Sequence, residues 1–309
     1  MNRISVIIFL FFLIIPGTVS SQEKITLIID ADTGNEVDDL YAIVRGLIEP
    51  SFKVVGLSSA QWQASHWAVP NSLENSHRLN LEILSYLHME DIPHPRGAAD
   101  RLYDWGDDIA QHSAAAYFII KEANKMPSGK KLTIAVLGAS TNLASALLID
   151  PSIAGKIRVY LVGTTFDPEG MVWKKRDFNC MMDLHAIDVI LDTPDLETHI
   201  MPINVLTSLT FDIQETGDMF IGKHSLLDFL YQRWVNHIGG AKYTRVVWDL
   251  SVIECLIHPE LGTEMLVDTP PDNHPRKIFV YTSINADGMK KDFFKSVSEY
   301  FSMGNSPGE

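Results

Sequence analysis

The feature that most constrains the fold of this chain is an alternation of strand-like and helix-like segments along most of its length. The strand-like segments are short, apolar and rich in β-branched residues, and they cover 25–29, 54–57, 132–137, 157–162, 199–205 and 277–281. Helix-like patterns lie between and after them, at 37–48, 71–88, 109–124, 142–148, 184–191 and 218–237. Strands that alternate with helices form a parallel sheet covered by helices. We therefore predict an α/β fold with an open, mostly parallel sheet and helices on both faces.

The pattern of residues 1–21 is that of a signal peptide. Arg3 precedes an unbroken apolar run over 4–15, and small residues follow up to Ser21. An uncleaved membrane anchor is the alternative, but the run is shorter than the roughly 20 residues that cross a bilayer. Cleavage near Ser21 predicts an exported protein, periplasmic or secreted, with no membrane contact. The remaining residues, 22–309, are apolar enough to form one catalytic domain around one core.

The charge of the chain restricts its partners. It has 25 basic and 39 acidic residues, which give a formal net charge of −14. An acidic surface repels nucleic-acid polymers and anionic membranes, so we expect a small, neutral ligand. Two cysteines, Cys180 and Cys255, are too few for a disulfide framework and do not have metal-ligand spacing.

Polar residues follow several predicted strands, and the densest group follows the first. Five carboxylates lie within ten residues there: Asp30, Asp32, Glu36, Asp38 and Asp39. Capping of the next helix explains one or two of these acids but not all of them. Ligands of such sheets bind beyond the carboxyl ends of the strands. Because no histidine or thiolate lies nearby, the group favours a hard cation with oxygen ligands, calcium or magnesium rather than zinc.

One alternative interpretation of this turn is a phosphatase. The order Asp30, Ala31, Asp32, Thr33 also resembles the start of a haloacid-dehalogenase phosphatase, in which the first aspartate attacks phosphorus and the second acts as an acid. That family also needs a later lysine and a distal pair of acids after a strand. Neither can be placed in this sequence, so we keep the phosphatase as the weaker alternative.

A longer match resembles the nucleoside hydrolases, the inosine-uridine preferring type. It comprises the acidic turn over 30–39, the stretch 137–144 with its Thr-Asn-Leu-Ala end, residues 177–179 and residues 248–250, in order over nearly all of the mature chain. The acidic turn is its most specific part. The resemblance implies the open α/β fold that the alternation predicts independently. It also implies a calcium ion held by Asp32, Asp39, the backbone carbonyl of Leu137 and Asp249.

The resemblance further implies hydrolysis of the N-glycosidic bond of ribonucleosides to free base and ribose. Cleavage of this bond builds positive charge on the ribose and negative charge on the base. The ion positions and acidifies a water and Asp32, the catalytic residue, takes its proton. Ribose hydroxyls are expected to meet Asp38, Asn179, Asp177 and the metal with Asp249. A site of this kind should reject 2′-deoxy substrates, because a buried polar partner is then left unpaired.

Four departures from the family pattern concern the ribose side of the site. The turn has two more residues between Asp32 and Asp39 than the common pattern, so that either Asn35 or Glu36 takes part in the site or the turn is only wider. Asp177 stands where a glutamate is usual, and Met171 falls where an asparagine would contact the 5′-hydroxyl. Gln63 falls near an expected asparagine and is retained as a candidate substrate-binding residue.

A further departure concerns the base. Trp248 precedes the candidate ligand Asp249 at a position where many pyrimidine-accepting or nonspecific members of the family have a histidine, whereas the purine-preferring branch has a tryptophan. Trp105 lies where a second stacking ring would come from. We therefore expect purine ribosides as substrates. Trp62 and Trp173 lie in loops that could also face the pocket, and a core or rim position is the alternative for each tryptophan.

Two hypotheses remain open besides the phosphatase. The first is a calcium-dependent purine ribosidase that works in purine salvage. The second is a remodelled relative that cleaves or binds another ribosylated compound. From the resemblance we also expect a homodimer or homotetramer.

Overall fold

The computed structural model describes residues 23–103 and 109–302. The predicted signal peptide over residues 1–21 and the candidate base-stacking Trp105 lie outside the described residues. Within these two ranges, no helix is both long and apolar enough to cross a membrane.

A seven-stranded sheet forms the centre of the molecule, with the strand order β10-β11-β7-β4-β3-β1-β2. Its strands are β1 (Ile25–Ala31), β2 (Phe52–Ser59), β3 (Leu132–Val136), β4 (Ile157–Val162), β7 (Glu197–Met201), β10 (Gly262–Asp268) and β11 (Lys277–Ile284). All neighbours pair in parallel except β10 and β11, which pair antiparallel. Two small hairpins lie outside the sheet, β5 (Thr165–Asp167) with β6 (Val172–Lys174) and β8 (Thr210–Asp212) with β9 (Thr244–Val246). The predicted α/β class with an open, mostly parallel sheet is confirmed.

The α-helices connect the strands and cover both faces of the sheet. They are α1 (Asp38–Ile48), α2 (Ser72–Tyr86), α3 (Ala114–Asn124), α4 (Thr141–Ile149), α5 (Phe178–Met182), α6 (Leu184–Asp192), α7 (Ile203–Leu206), α8 (Ile213–Phe220), α9 (Ser225–Val235), α10 (Leu250–Ile257) and α11 (Ala286–Ser302). Two short 3-10 helices cover Pro151–Lys156 and Pro259–Leu261.

The alternation of side chains along β1 divides the core into two layers. Leu27 and Ile29 point to one face of the sheet, where α1, α2, α9, α10 and α11 pack, whereas Ile28 points to the other face, where α3, α4 and α6 pack. All three side chains are completely buried. Strands that are buried on both faces must be apolar at nearly every position, which explains why they were visible in the sequence.

Some segments differ from the sequence prediction. The strand predicted over 199–205 ends at Met201, because Pro202 has no N–H to continue the ladder and begins a turn into α7. The helix predicted over 218–237 is broken into α8 and α9, and Gly222 in the break has φ +70°. The two hairpins, β10, α5, α10 and α11 were not predicted.

Helices α1 and α10 pack together with their first turns at the same edge of the sheet, and a buried ion-pair network joins them farther along. The Arg45 guanidinium of α1 donates to Glu254 of α10 at 3.1 Å, to Glu49 at 2.7 Å and to Asp292 of α11 at 2.6 Å. Arg45 is 2% exposed and Glu254 is completely buried. Burial raises the pKa of Glu254 to about 8, while the charge of Arg45 opposes that rise.

Replacement of Arg45 by methionine is expected to lower the free energy of unfolding by roughly 3–5 kcal/mol at pH 9, because ionised Glu254 is left buried without its cation. The loss should be smaller at pH 6. A buried acid whose pKa is raised in the folded state leaves the fold most stable while the acid is protonated. The free energy of unfolding then decreases as the pH rises through the pKa of the folded state. Urea unfolding at both pH values measures this.

The matched control is Arg96→Met, because Arg96 donates to Glu74 at 2.6 Å on the surface. An exposed pair of this kind contributes at most about 1 kcal/mol. If the two variants lose equal stability, the network does not join α1 to α10 energetically.

Candidate active site

A polar pocket lies at the carboxyl ends of four neighbouring strands. Asp32 follows β1, Leu137 follows β3, Val162 ends β4 and Ile203 begins α7, which follows β7. The cavity has a volume of about 200 Å³. The described residues that line it are Asp32, Asn35, Glu36, Asp38, Asp39, Trp67, Leu137, Val162, Asp177, Phe178, Asn179, Ile203, Trp248 and Asp249. This is the edge of the sheet at which the strand order predicts a ligand.

The pocket brings together most of the residues that the sequence analysis assigned to a site. They are Asp32, Asp38, Asp39, Leu137, Asp177, Asn179, Trp248 and Asp249. Gln63 is exposed and lies outside the described lining, in the loop after β2. The buried glutamine of that loop is Gln61, whose side chain accepts a hydrogen bond from the backbone N–H of Gln63 at 2.7 Å.

Three acids converge from two helix starts. Asp38 and Asp39 form the first residues of α1, and Asp249 is the N-cap residue of α10. Each offers a carboxylate oxygen that lies within 4.8 Å of the other two. The positive ends of two helix dipoles favour negative charge at this point.

Asp32 joins the same group of charges. Its side chain is 1% exposed and that of Asp39 is equally buried. Asp32 Oδ2 and Asp39 Oδ1 are buried and have no hydrogen-bond partner among the described residues. No lysine or arginine is among the described residues that line the pocket. Four buried carboxylates therefore share a small volume without a cationic side chain to neutralise them.

The acids shift one another's protonation. Burial and then the charge of Glu36 raise the pKa of Asp38 to about 7. Burial and then the charge of Asp38 raise the pKa of Asp32 and of Asp249 well above the usual range. Burial and then the charge of Asp32 do the same to the pKa of Asp39. A divalent cation would remove this repulsion, so the unpaired oxygens and the all-oxygen donors fit a hard metal ion.

The backbone carbonyl of Leu137 also points to this part of the molecule. It accepts a hydrogen bond from the Asn179 amide at 2.6 Å, and the same amide nitrogen donates to the carbonyl of Val162 at 3.1 Å. These two bonds fix the Asn179 side chain across the ends of β3 and β4. A carbonyl oxygen has two lone pairs, so Leu137 can accept this bond and still offer oxygen to a cation.

Asp30 does not belong to the pocket. It is completely buried, and its Oδ1 accepts hydrogen bonds from the Ser58 hydroxyl at 2.6 Å and from the Asn142 amide at 2.9 Å. Burial raises the pKa of Asp30 to about 6. A phosphatase nucleophile must reach phosphorus, and this carboxylate instead ties β1 to β2 and α4. The position of Asp30 argues against the haloacid-dehalogenase alternative.

Asp177 caps the short helix α5. Its carboxylate accepts hydrogen bonds from the backbone N–H groups of Thr164 and Cys180, the latter at 3.2 Å. Thr164 has a φ of +65°, and the bond from Asp177 holds its amide in that conformation. Each carboxylate oxygen therefore accepts one backbone hydrogen bond. These two bonds hold Asp177 against the segment of the chain that carries Asn179.

An aromatic wall lines one side of the pocket. Trp67 stacks on Phe178 with ring centroids 5.3 Å apart, and its indole N–H donates to the Asn35 side chain at 3.0 Å. Trp248 also lines the pocket. Trp248 was predicted from the sequence, whereas Trp67 and Phe178 were not, although Phe178 lies inside the motif of residues 177–179.

The other tryptophans named from the sequence lie elsewhere. Trp62 is 2% exposed and its indole N–H donates to Ser76 at 3.2 Å. Trp173 packs on Phe166 with ring centroids 4.5 Å apart. Neither is among the described residues of the pocket. The proximity of Trp62 and Trp67 in one loop was a signal for an aromatic wall, but the sequence does not show which ring points inward.

Comparisons with known proteins, by sequence and by structure, agree with this architecture. The family model for inosine-uridine preferring nucleoside hydrolases matches residues 27–291. A probable uridine nucleosidase 2 of Oryza sativa subsp. japonica is 24% identical over 79% of this chain and 76% of its own. The non-specific ribonucleoside hydrolase RihC of Salmonella paratyphi A is 25% identical over 77% of this chain and 80% of its own.

Solved structures show the same fold. A plant nucleoside hydrolase superposes with a TM-score of 0.68 at 18% identity, covering 88% of this chain and 98% of that chain. A purine-preferring ribonucleoside hydrolase from Gardnerella vaginalis superposes with a TM-score of 0.65 at 18% identity, covering 90% of this chain and 99% of that chain. Because the family match spans most of the sequence and includes the acidic pocket, the chain belongs to the inosine-uridine preferring nucleoside hydrolase family, whose members hydrolyse the N-glycosidic bond of ribonucleosides.

Proposed function

We propose that the protein hydrolyses purine ribonucleosides to free base and ribose and that it needs calcium to do so. The observation that carries this proposal is the group of four buried, unneutralised carboxylates beside an aromatic wall. The acids supply a metal site and a base, and the rings supply a surface for a flat leaving group.

The proposed metal ligands are Asp32, Asp39, Asp249 and the carbonyl of Leu137. Their donors are all oxygens, which favours calcium over a softer metal. The unpaired Asp32 Oδ2 and Asp39 Oδ1 support this assignment, because a buried carboxylate oxygen without a partner is costly. When bound, calcium would supply the Lewis acidity that makes a water acidic enough to be deprotonated near neutral pH.

Asp32 is the proposed general base. Asp32 lines the pocket and its Oδ2 has no hydrogen-bond partner among the described residues, so this oxygen is available to take a proton from a water. Attack from the face opposite the base would invert the anomeric carbon. The surrounding carboxylates stabilise the positive charge that develops on the ribose ring. Asp38 and Asn179 are the proposed partners of the ribose hydroxyls.

The base preference is proposed from the aromatic wall. Trp67, Phe178 and Trp248 line the pocket, and because stacking grows with the area of the rings in contact, we expect them to favour the larger purine ring. No histidine is among the described pocket residues, which is consistent with protonation of the leaving base by solvent. The sequence relatives reported above are named for uridine or for no specific base, so the preference is a property to be measured for this chain.

Trp248→Ala is expected to raise KM for inosine by roughly 5- to 100-fold, because stacking contributes about 1–3 kcal/mol per base. The increase for uridine should be smaller, since a pyrimidine overlaps less of the indole. Steady-state assays on both nucleosides measure this. Trp173→Ala is the control, because Trp173 packs on Phe166 outside the described pocket. Equal losses on inosine and uridine would contradict a stacking role in base selection.

A panel of nucleosides tests the proposed substrate. Release of free base is followed for inosine, adenosine, guanosine, uridine, cytidine and 2′-deoxyinosine. We expect purine ribosides to be cleaved fastest and the deoxy compound to be spared, because a ribose partner would be left unpaired. Preferential cleavage of uridine or cytidine would overturn the purine assignment while retaining the hydrolase.

Export and assembly are proposals that rest on the sequence and on the family. The pattern of residues 1–21 supports a periplasmic or secreted protein, and the family resemblance supports a homodimer or homotetramer. Amino-terminal sequencing of the protein recovered outside the cytoplasm and light scattering of the purified protein test the two.

A further inference from the structure

The acidic turn is longer than the common family pattern, and its extra residues form part of the pocket wall. Asn35 and Glu36 both line the cavity, whereas the next residue, Val37, is buried in the core. The Asn35 carbonyl accepts a hydrogen bond from His237 Nε2 at 2.9 Å, and the Asn35 side chain accepts the indole N–H of Trp67 at 3.0 Å. The turn is therefore fixed from two sides.

Glu36 is held at the pocket by a buried arginine. Arg245 Nη1 donates to Glu36 Oε2 at 2.7 Å, and Arg245 Nη2 donates to the Gly240 carbonyl at 2.9 Å. The Arg245 side chain is 3% exposed and that of Glu36 is 31% exposed. The bond from Arg245 fixes the position of the Glu36 carboxylate, whose oxygens can accept hydrogen bonds. Glu36 thus presents a fixed acceptor to whatever fills the pocket.

At the two positions that the resemblance connects with the 5′ end of the ribose, this chain has Met171 and Asp177 in place of the usual asparagine and glutamate. Met171 is 46% exposed and is not among the described lining residues. Asp177 is one methylene shorter than the usual glutamate, and its carboxylate accepts the N–H groups of Thr164 and Cys180. The 5′-hydroxyl of a bound riboside needs another acceptor.

We propose that Glu36 is a specificity-determining residue that accepts a hydrogen bond from the ribose 5′-hydroxyl. Glu36 lies two residues before Asp38 and both line the pocket, which places it beside an acid assigned to the ribose rather than to the base. The inference rests on the proposed riboside hydrolysis.

This contact is tested by removing its two partners one at a time, Glu36 in the enzyme and the 5′-hydroxyl in the substrate. Wild type and Glu36→Ala are assayed on inosine and 5′-deoxyinosine. Wild type should prefer inosine in kcat/KM by roughly 10- to 100-fold, which is the strength of a hydrogen bond to a charged group. Glu36→Ala should lose that factor on inosine and cleave the two compounds about equally. Glu36→Gln keeps a carbonyl acceptor and should recover part of the preference.

The control is Glu74→Ala, because Glu74 also pairs with an arginine but lies on the surface. It should match wild type on both substrates. Thermal melts of all variants separate loss of the contact from loss of the fold, and Glu36→Gln carries the test if the alanine variant unfolds. If Glu36→Ala slows both substrates by the same factor, the inference is wrong. If wild type releases base from no ribonucleoside, the proposed function fails and the inference fails with it.

Discussion

Asp32→Asn is expected to lower kcat for ribonucleoside hydrolysis by about 10²- to 10⁴-fold, the usual contribution of a positioned general base. The amide has nearly the same shape as the acid but cannot take a proton from water. It also removes one charge from a crowded group, so the free energy of unfolding of the metal-free protein should not fall. Steady-state kinetics with inosine and a urea unfolding curve measure the two effects.

The metal content of Asp32→Asn separates its two proposed roles. A variant that keeps calcium but loses turnover identifies Asp32 as the base, whereas loss of both shows that its role as a ligand dominates. Asp268→Asn is the control, because Asp268 is an exposed acid on the edge strand β10 that pairs with Lys277 of β11. Wild-type turnover in Asp32→Asn would remove Asp32 from the mechanism.

Asp249→Ala is expected to abolish both calcium binding and turnover. Asp249 brings the only proposed ligand from the α10 side of the pocket, and its carboxylate lies within 4.8 Å of oxygens from Asp38 and Asp39. Without it the remaining ligands come from β1, α1 and the end of β3 alone. Titration calorimetry of the metal-free protein measures the affinity, and inosine hydrolysis measures the activity.

The melting temperature gives a second readout of the Asp249 variant that does not depend on turnover. An ion that binds only the folded state stabilises wild type, and this stabilisation increases with the logarithm of the ion concentration. We expect added calcium to raise the melting temperature of wild type and to leave Asp249→Ala unchanged. Calcium binding of wild-type affinity in this variant would contradict the proposed ligand set.

The main sheet could be predicted from the sequence because its evidence is local. Strands buried on both faces are continuous apolar runs, and the acidic turn over 30–39 is a dense cluster within ten residues. The hairpins β5–β6 and β8–β9 were not predictable in the same way, because each strand has only three residues and no clear period.

The parts of the pocket that the sequence left open or did not predict depend on contacts between residues that are distant in sequence. Glu36 pairs with Arg245 across 209 positions, and nothing near Glu36 indicates that partner. Trp67 rather than Trp62 faces the pocket because Trp62 bonds to Ser76 in α2 and Trp67 packs on Phe178. Gln63 was predicted only because the family pattern has an asparagine near this position, but the turn after β2 leaves Gln63 exposed.

The most direct test of the account is the release of ribose from inosine by purified protein that has been treated with a chelator and then given back calcium. We predict that ribose and hypoxanthine appear in equal amounts, that the chelator stops their release and that calcium restores it. If the chelator does not change the rate of ribose release, the proposed metal site is wrong. No release from inosine or uridine, with calcium bound, would instead favour a remodelled protein that binds or cleaves another ribosylated compound.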